Sequence, residues 1–319
     1  MPKLSLDLRQ LQIFLYVAEH KNLRRAASLL GITPSAVSQA VTALESELAT
    51  TLLQRDCRPL TLTEAGRRLY QDGSSLLAAA DSLRRRVCSD GLQYRSLRLG
   101  LGESTASTIA PWLIKRLYER VAELTVFSEL TKPLVQRLEN GTVDVIVCAG
   151  PQLDDAKWQR QEAYREDFLL VTARSIAVPK TLEDLRTLAQ SHPLIGYNDE
   201  SADQVRVNRF LSAKRVVPQK RLSVSSSYGL VGLISQCSGF GVLPATDIWC
   251  GRQFLFDVNV AAIPDPEPFL RSMWVVGKGQ EESAQLDLVL TQTREVLRDY
   301  MLDELKRVNL HLEDHIRIP

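Results

Sequence analysis

The sequence predicts a multidomain α+β protein with an N-terminal winged helix-turn-helix, a long linker helix and a C-terminal α/β domain of two subdomains. Three observations predict it. Two short helical patterns meet at a tight turn within residues 22–45, a heptad-like pattern fills residues 63–88, and strands alternate with helices from residue 96 onward. The length of 319 residues is enough for about two domains with separate cores.

Composition is that of an ordinary globular protein, with 45% hydrophobic and 24% charged residues and a net charge of +1. The first residues carry charges where a secretory signal needs an apolar core, and no run approaches the roughly 20 apolar residues of a membrane span. We therefore expect a cytoplasmic protein without membrane contact. The five cysteines form no C-x-x-C pair, which argues against a disulfide framework or a zinc finger. Cys57, in an expected exposed loop, is the candidate to test as a redox sensor.

The helix pair within residues 22–45 has clear start and stop signals. Gly31 is placed to end the first helix, and Thr33 with Pro34 supplies the N-cap and the favoured first-turn proline of the second. Val37, Val41 and Leu44 then recur as one apolar stripe. A further stripe within residues 8–19 covers the back of the pair, so the pattern predicts a helix-turn-helix whose second helix enters a DNA major groove.

Outward positions of the second helix carry side chains that offer both donors and acceptors to base edges. Gln39 can pair bidentately with adenine, and nearby arginines outside this helix would contact phosphates. The alternative is that Ser35 only caps the helix and that the arginines are solvated surface. The predicted DNA-binding residues are Arg24, Arg25, Thr33, Ser35, Ser38, Gln39, Thr42, Arg55 and Arg58.

Residues 50–63 predict a two-stranded wing, because leucines flank a polar tip at residues 55–58. Thr63 then caps a helix that runs to about residue 88, in which leucines fall seven residues apart and Gly73 and Ala80 allow close helix approach. We expect a dimerisation helix; the alternative is a helix packed on its own domain. The predicted contact residues are Leu69, Leu76, Ala80 and Leu83.

These anchors together resemble the N-terminal half of a LysR-type transcriptional regulator. The motifs are Leu11-x-x-Phe14, Ala26-Ala27, Thr33-Pro-Ser-Ala-Val-Ser38, Leu44-Glu45-x-x-Leu48, Leu52-Leu-x-Arg55 and Leu62-Thr-x-x-Gly66. Three positions depart from the family pattern: Ala49 stands where glycine is usual, Leu53 where phenylalanine is usual, and Thr42-Ala43 where a basic pair is common. The last departure makes the second helix less basic than most.

The rest of the chain resembles the periplasmic-binding-protein-like effector domain of the same family, through segments 140–144 and 239–244. The expected organisation is a DNA-binding domain at 1–62, a linker helix at 63–90 and an effector-binding domain at 91–319. Within the last, subdomain I covers about 96–170 and 271–305, and subdomain II covers about 171–270. The tail from about residue 308 falls outside the resemblance and is expected to be solvated.

A ligand cleft is expected at the carboxyl ends of the parallel strands, where helix N-termini offer unpaired N–H groups. Hydroxyl-rich turns lie there, and they would suit a small polar or anionic metabolite; the alternative is that these residues are only caps and turn formers. The predicted effector-binding residues are Ser104, Thr105, Ser107, Thr131, Lys132, Tyr197, Asn198, Ser225 and Ser226.

Two rival functions fit the sequence less well. An enzyme lacks support because residues 102–106 miss the second glycine of a nucleophile elbow and His311 with His315 has no obvious third metal ligand. A purely architectural DNA-binding protein leaves the α/β residues unexplained. We therefore expect a LysR-type regulator without cofactor or metal. It would bind a dyad-symmetric site on double-stranded DNA as a dimer or tetramer, contact RNA polymerase and respond to a small effector.

Overall fold

The structure is a computed structural model that describes residues 6–54, 60–87, 94–150, 158–278, 283–308 and 310–319. Its chain divides into two compact units, Met1–Ser89 with Glu139–Thr142, and Asp90–Leu138 with Val143–Pro319. We call them the N-terminal and C-terminal units. No single described helix is long and apolar enough for a membrane span. The pair Leu23–Leu30 and Pro34–Glu47 has that length and composition only when the two helices are taken together, and the pair is bent by 106°.

The N-terminal unit has the predicted winged helix-turn-helix. Asn22 and Thr33 cap the two helices of the motif, since Asn22 Oδ1 accepts the amides of Arg24 and Arg25 and Thr33 Oγ1 accepts the amide of Ala36 at 3.2 Å. Gly31 ends the first of them with a φ of +65°. The elements are α1 (Leu8–His20), α2 (Leu23–Leu30), α3 (Pro34–Glu47), β1 (Leu53–Gln54), β2 (Thr61–Leu62) and α4 (Glu64–Val87).

The wing is tied to α3 by a carboxylate. Glu45 Oε1 accepts the backbone amides of Leu52 at 2.8 Å and Leu53 at 3.2 Å, which fixes the start of β1. Gly66 lies so close to this segment that a Cβ there would sit 2.2 Å from the carbonyl oxygen of Leu52. The Glu45 and Gly66 positions of the family motifs therefore hold the wing against the helices. Arg55, Cys57 and Arg58, at the wing tip, lie outside the described residues.

The first half of α4 packs on its own unit. A Cβ on Gly73 would lie 2.8 Å from Leu11 Cδ1, and Leu69 and Leu77 pack partly buried against the same core. Gly73 therefore admits Leu11 of α1, contrary to its expected place in a seam between two chains. Leu76 is 41% exposed and Ala80 is half-buried, while the side chain of Leu83 lies outside the described part of the chain.

The C-terminal unit alternates strands and helices as predicted. Its first strands and helices are β3 (Tyr94–Gly102), α5 (Glu103–Thr108), α6 (Ala110–Tyr118), β4 (Val121–Glu129), α7 (Thr131–Glu139), β5 (Val145–Ala149), β6 (Trp158–Ala173), α8 (Leu182–Ser191), β7 (Leu194–Tyr197) and α9 (Ala202–Ala213). There follow β8 (Arg221–Val224), α10 (Ser227–Gln236), β9 (Phe240–Pro244), α11 (Ala245–Cys250), β10 (Val258–Ala262), β11 (Leu270–Lys278), α12 (Ser283–Val296), α13 (Leu302–Arg307) and β12 (Ile316–Arg317). Short 3₁₀ segments cover Arg252–Asp257 and Leu312–His315, and a π turn covers Leu297–Met301.

One long strand, β6, joins the halves of this unit. The strand order is β4-β3-β5-β11-β6-β9-β7-β8, with β3 parallel to β4 and β5, and β7 parallel to β8 and β9. β6 has 16 residues: its first part pairs with β11, and its second part pairs with β9 and β10. The two subdomains therefore share β6, with the carboxyl ends of β3, β4, β5 and β7 turned to the cleft between them.

Three features differ from the sequence predictions. Residues 103–108 form the helix α5 and not a polar turn, and α9 and α11 were not predicted. The inward positions of these helices include Thr105, Asp203 and Asp247, which are polar, so a search for apolar stripes misses them. Thr181 and Asp184 form a capping box at the start of α8.

The C-terminal tail is folded onto its unit, so the expectation of a solvated tail is wrong. Leu312 is fully buried, and β12 pairs antiparallel with β6. Asp167 receives two bonds from Arg317 and lies 3.1 Å from His315 Nδ1. Among the described residues no group of three His, Cys, Asp or Glu is placed to hold a metal.

Candidate functional site

The face of α3 that carries the predicted base-reading residues points away from the core of its unit. Val37, Val41 and Leu44 are fully buried, which leaves the intervening positions outside. We call Ser35, Ser38, Gln39 and Thr42 the reading face. Ser35, Gln39 and Thr42 are exposed and Ser38 is half-buried. A helix anchored on one side and polar on the other is suited to lie in a major groove.

Two of the predicted phosphate-contacting residues, Arg24 and Arg25, lie in the described part of this unit. Arg24 and Arg25 lie in the first turn of α2 and are both exposed. Thr33 caps α3, and its hydroxyl lies 3.1 Å from that of Ser35. Thr33, and not Ser35, is therefore the capping residue.

The C-terminal unit has a small cavity at the carboxyl ends of its parallel strands, with a volume of about 30 Å³. That space holds roughly one or two water molecules. We call it the cleft. It is lined by Gly102, Glu103, Ser104, Leu130, Thr131, Ala149, Tyr197, Ser201, Ala202, Asp203, Arg271 and Met273.

Arg271 of β11 is the centre of the cleft and is completely buried. Its Nε donates to Glu166 Oε1 at 2.9 Å, and its Nη1 forms an ion pair with Asp203. Its Nη2 donates to Ser104 Oγ at 2.7 Å and to Thr246 Oγ1 at 3.2 Å. Arg271 therefore connects residues of both subdomains through one planar group.

A second set of bonds crosses the cleft from Glu103. This carboxylate accepts the backbone amide of Ser227 at 3.0 Å and the Ser227 hydroxyl at 2.5 Å, at the N-terminus of α10. The Tyr197 hydroxyl contacts Ser227 and donates to Asp247 Oδ2 at 2.9 Å. Ser104 Oγ donates to Asp247 Oδ1 at 2.5 Å, so the two sets form one continuous polar network.

Burial shifts the pKa values of this network. Desolvation raises the pKa of Asp247 to about 7, with Arg271 opposing the shift and Glu166 adding to it. Desolvation, with the charges of Asp247 and Glu103, holds the pKa of Tyr197 well above its ordinary value. Burial lowers the pKa of Arg271, but the charges of Asp203 and Glu166 outweigh it, so that pKa lies well above the usual range and the group stays cationic.

The structure brings together three of the predicted effector-binding residues. Ser104, Thr131 and Tyr197 line the cleft, and Thr131 Oγ1 donates to the carbonyl oxygen of Ala149 at 3.1 Å. The others do not line it: Thr105 is buried behind it, and Ser107 bonds to Glu103. Lys132, Asn198, Ser225 and Ser226 also lie outside the lining, with all but Asn198 exposed.

Sequence reasoning missed the charged residues of the cleft network and one of their partners, namely Glu103, Glu166, Asp203, Asp247 and Arg271, with Ser227 as the partner. Arg271 stands 68 positions from Asp203 and 167 from Ser104, so no local pattern joins them. One signal was available, because Arg271 stands two and four positions before Met273 and Val275 and therefore shares their inward face of the strand.

Profiles of two protein families match the chain. Residues 8–67 match "Bacterial regulatory helix-turn-helix protein, lysR family", and residues 91–298 match "LysR substrate binding domain". The second match alone spans more than half of the chain.

Known proteins resemble the chain over nearly its full length. A probable hydrogen peroxide-inducible genes activator of Streptomyces viridosporus is 29% identical over 307 residues, covering 92% of this chain and 95% of that relative. The fold is similar to a peroxide-bound cysteine-to-serine mutant of Corynebacterium glutamicum OxyR, with a TM-score of 0.59, 23% identity and 95% and 96% coverage of the two chains. It is also similar to full-length CbnR complexed with its target DNA, with a TM-score of 0.62, 19% identity and 91% and 100% coverage.

Proposed function

This chain belongs to the LysR family of DNA-binding transcriptional regulators, and we propose that it binds a dyad-symmetric promoter site through α3 and responds to a small molecule in the cleft. We assign DNA binding to residues 1–62, chain pairing to 63–90 and effector binding to 91–319. In this proposal the protein acts in the cytoplasm as a regulator and not as an enzyme.

The reading face carries the DNA-binding half of the proposal. Its side chains are polar and project from a helix whose opposite side is fully buried, so they have no role in packing that core. Gln39, with an amide that offers both donor and acceptor, is suited to adenine, whereas Ser35 and Thr42 discriminate less. No member of this face is basic, so Arg24 and Arg25 supply phosphate contacts from α2.

The experiment that tests this half compares Gln39→Ala with Gln12→Ala, a matched change at an exposed position of α1. Binding is measured by fluorescence anisotropy to the promoter site and to unrelated DNA at one fixed salt concentration. We expect Gln39→Ala to weaken promoter binding by about 1–3 kcal/mol, the usual value of one bidentate base contact, with little change on unrelated DNA. Gln12→Ala is expected to change neither affinity. Equal losses on both DNAs would remove Gln39 from the reading face.

Pairing of two chains is assigned to α4. Leu76 is exposed and apolar, whereas Gly73 and Leu77 of the same helix pack on their own unit. Its place in the seven-residue spacing of Leu69, Leu76 and Leu83 supports a partner helix. Two paired chains present two copies of the reading face, which match a dyad-symmetric site. The proposed regulator is a dimer or tetramer that contacts RNA polymerase.

The cleft carries the effector half of the proposal. Its network connects Ser104 and Glu103 at the end of β3 with Asp247 and Ser227 of the other subdomain. A small molecule that replaces some of these bonds would favour one arrangement of the two subdomains over another, provided its affinity differs between them.

The names of two related proteins refer to hydrogen peroxide. A second kind of signal to consider is therefore the oxidation of a cysteine thiol. The two buried cysteines of the C-terminal unit do not favour it. Burial raises the pKa of Cys148 to about 12 and that of Cys250 to about 11, whereas the thiolate is the form that reacts with peroxide. Cys237 is exposed and is not among the cleft residues. Among the described cysteines, these features favour a non-covalent effector over thiol oxidation, while Cys57 and Cys88 lie outside the described residues.

A further inference from the structure

We propose that the cleft selects a small cation, the ammonium group of a short primary amine, and not an anionic metabolite. This inference rests on the proposed function, in which the cleft binds an effector. It replaces the expectation of an anionic ligand that hydroxyl-rich turns and helix N-termini suggest from sequence.

Charges around the cleft are predominantly negative. Glu103 and Asp203 line it together with Arg271, and Glu166 and Asp247 lie directly behind Arg271 with no exposed surface. The Arg271 guanidinium therefore pairs with three carboxyl groups, those of Glu166, Asp203 and Asp247, and Glu103 adds a fourth to the lining. Between protein walls of low dielectric, an excess of carboxylates attracts a cation and repels an anion.

The groups that would hold an anion are already engaged. The Arg271 guanidinium is bonded on all three of its nitrogens, to Glu166, to Asp203, and to Ser104 with Thr246. The amide of Ser227 at the start of α10, where an anion would otherwise bind, donates to Glu103 of the same chain. An incoming carboxylate would have to displace a carboxylate of the protein from either position.

One acceptor of the cleft lacks a partner. Asp203 is only 8% exposed, and its Oδ1 has no hydrogen-bond partner in the described part of the chain, while its Oδ2 holds Arg271. A buried carboxylate oxygen without a donor is costly, and an N⁺–H donor satisfies it best. Asp203 therefore marks where the cation binds.

The remaining lining fits an ammonium group with a short apolar stem. Hydroxyls of Ser201 and Thr131 offer further acceptors, and Leu130 and Met273 are apolar. The described residues place no group of three metal-ligating side chains together, which favours an organic cation over a metal ion. Lys132 is exposed and Arg206 donates to the carbonyl oxygen of Leu270, and neither lines the cleft.

The test uses the full-length protein and two probes of similar size, ethylammonium chloride and sodium acetate, with sodium chloride as the reference at equal ionic strength. The melting temperature is recorded for the wild type, Asp203→Asn, Glu103→Gln and the control Glu200→Gln, which removes a carboxylate at an exposed position outside the cleft lining. We expect saturating ethylammonium to raise the melting temperature of the wild type and Glu200→Gln by about 2–4 °C. The shift should fall by more than half in Asp203→Asn and in Glu103→Gln, and acetate should give none. Two cleft variants are used so that a folding defect in one leaves the other as the test.

Three results would overturn the inference. Stabilisation by acetate alone would reverse the charge preference while leaving the cleft as an effector site. An equal response to ethylammonium in all four proteins would place the cation outside the cleft. A response to neither probe would remove the cation site. The effector half of the proposed function is then judged by a separate measurement, the promoter affinity of Glu103→Gln and Asp203→Asn without ligand. If neither variant differs from the wild type in that affinity, the effector half fails as well.

Discussion

The reading face of α3 and the cleft of the C-terminal unit hold their functional side chains in opposite ways. On α3 the side chains project into solvent from a helix whose other side is anchored, and the capping bonds there join residues two or three positions apart. In the cleft the side chains are buried and bonded to each other across the chain, for example Ser104 with Asp247, 143 positions apart.

This difference has a physical consequence. A local site depends on helix periodicity and caps, so changing one exposed residue alters binding without altering the fold. A buried network depends on charge balance, since each carboxylate is tolerated only because a donor faces it. Residues of the cleft therefore act on stability and ligand selection together.

Removal of the central cation should give the largest effect. Arg271→Met leaves Glu166, Asp203 and Asp247 buried without their cation, and we expect a loss of about 3–5 kcal/mol in the free energy of unfolding. The control is Arg116→Met, whose pairs with Glu295 and Asp299 are partly exposed, and which should cost no more than about 1 kcal/mol. Denaturant unfolding followed by circular dichroism measures both. Similar losses in the two variants would show that burial does not distinguish these ion pairs.

The next effect is a pH dependence caused by Asp247. Its pKa of about 7 in the folded protein lies above its ordinary value of 3.8, so the folded state binds a proton more tightly than the unfolded state. This contribution to stability is complete below about pH 4 and is lost as the pH rises to about 7. We expect Asp247→Asn to gain about 2–3 kcal/mol relative to the wild type between pH 5 and pH 8.

Unfolding of both proteins by denaturant at pH 5, 6, 7 and 8 measures this difference. A wild type and variant whose stabilities run parallel across the four pH values would show that Asp247 does not titrate in this window. Glu129→Gln serves as the control. The hydrogen bond from Arg137 lowers the pKa of the Glu129 carboxyl group, so this group titrates below the window and the variant should show no such divergence.

The smallest expected effect concerns the backbone conformation of one residue, Ala49, and its contribution to the stability of the N-terminal unit. Ala49 has a φ of +49°, in the left-handed region that favours glycine, at the position where the family usually has glycine. We expect Ala49→Gly to stabilise the unit by about 0.5 kcal/mol, because relief of the strained backbone exceeds the added flexibility of the unfolded chain. Amide hydrogen exchange of α3 in the intact protein measures this change. Faster exchange in the variant would contradict the prediction.

Sequence patterns predicted the N-terminal unit closely because its signals are local. Asn22, Gly31, Thr33 and Pro34 specify the ends of two helices, and the structure places each of them as cap or first-turn residue. The same reasoning found the alternation of strands and helices in most of the C-terminal unit. It failed for α5, α9 and α11, since buried polar residues there interrupt the apolar pattern.

For the C-terminal unit, the sequence predicted where the cleft lies but not which charged residues surround it. Strand ends placed Ser104, Thr131 and Tyr197 at the cleft, because the carboxyl ends of parallel strands meet at one edge of a sheet. The charge of the cleft depends on Arg271, Asp203 and Glu166. These residues are far apart in the chain, so no local sequence pattern predicts that they pair.

The sequence by itself determined the family, the fold and which side of α3 is buried, since caps, glycines and apolar periodicity act over a few residues. The tertiary structure alone decided what the cleft prefers. Only folding brings Glu103 to the N-terminus of α10 and surrounds Arg271 with carboxylates, which fills the anion-binding positions and leaves Asp203 Oδ1 without a donor among the described residues. Electrostatic preference is set by distances between residues remote in the chain, and these distances exist only in the folded protein.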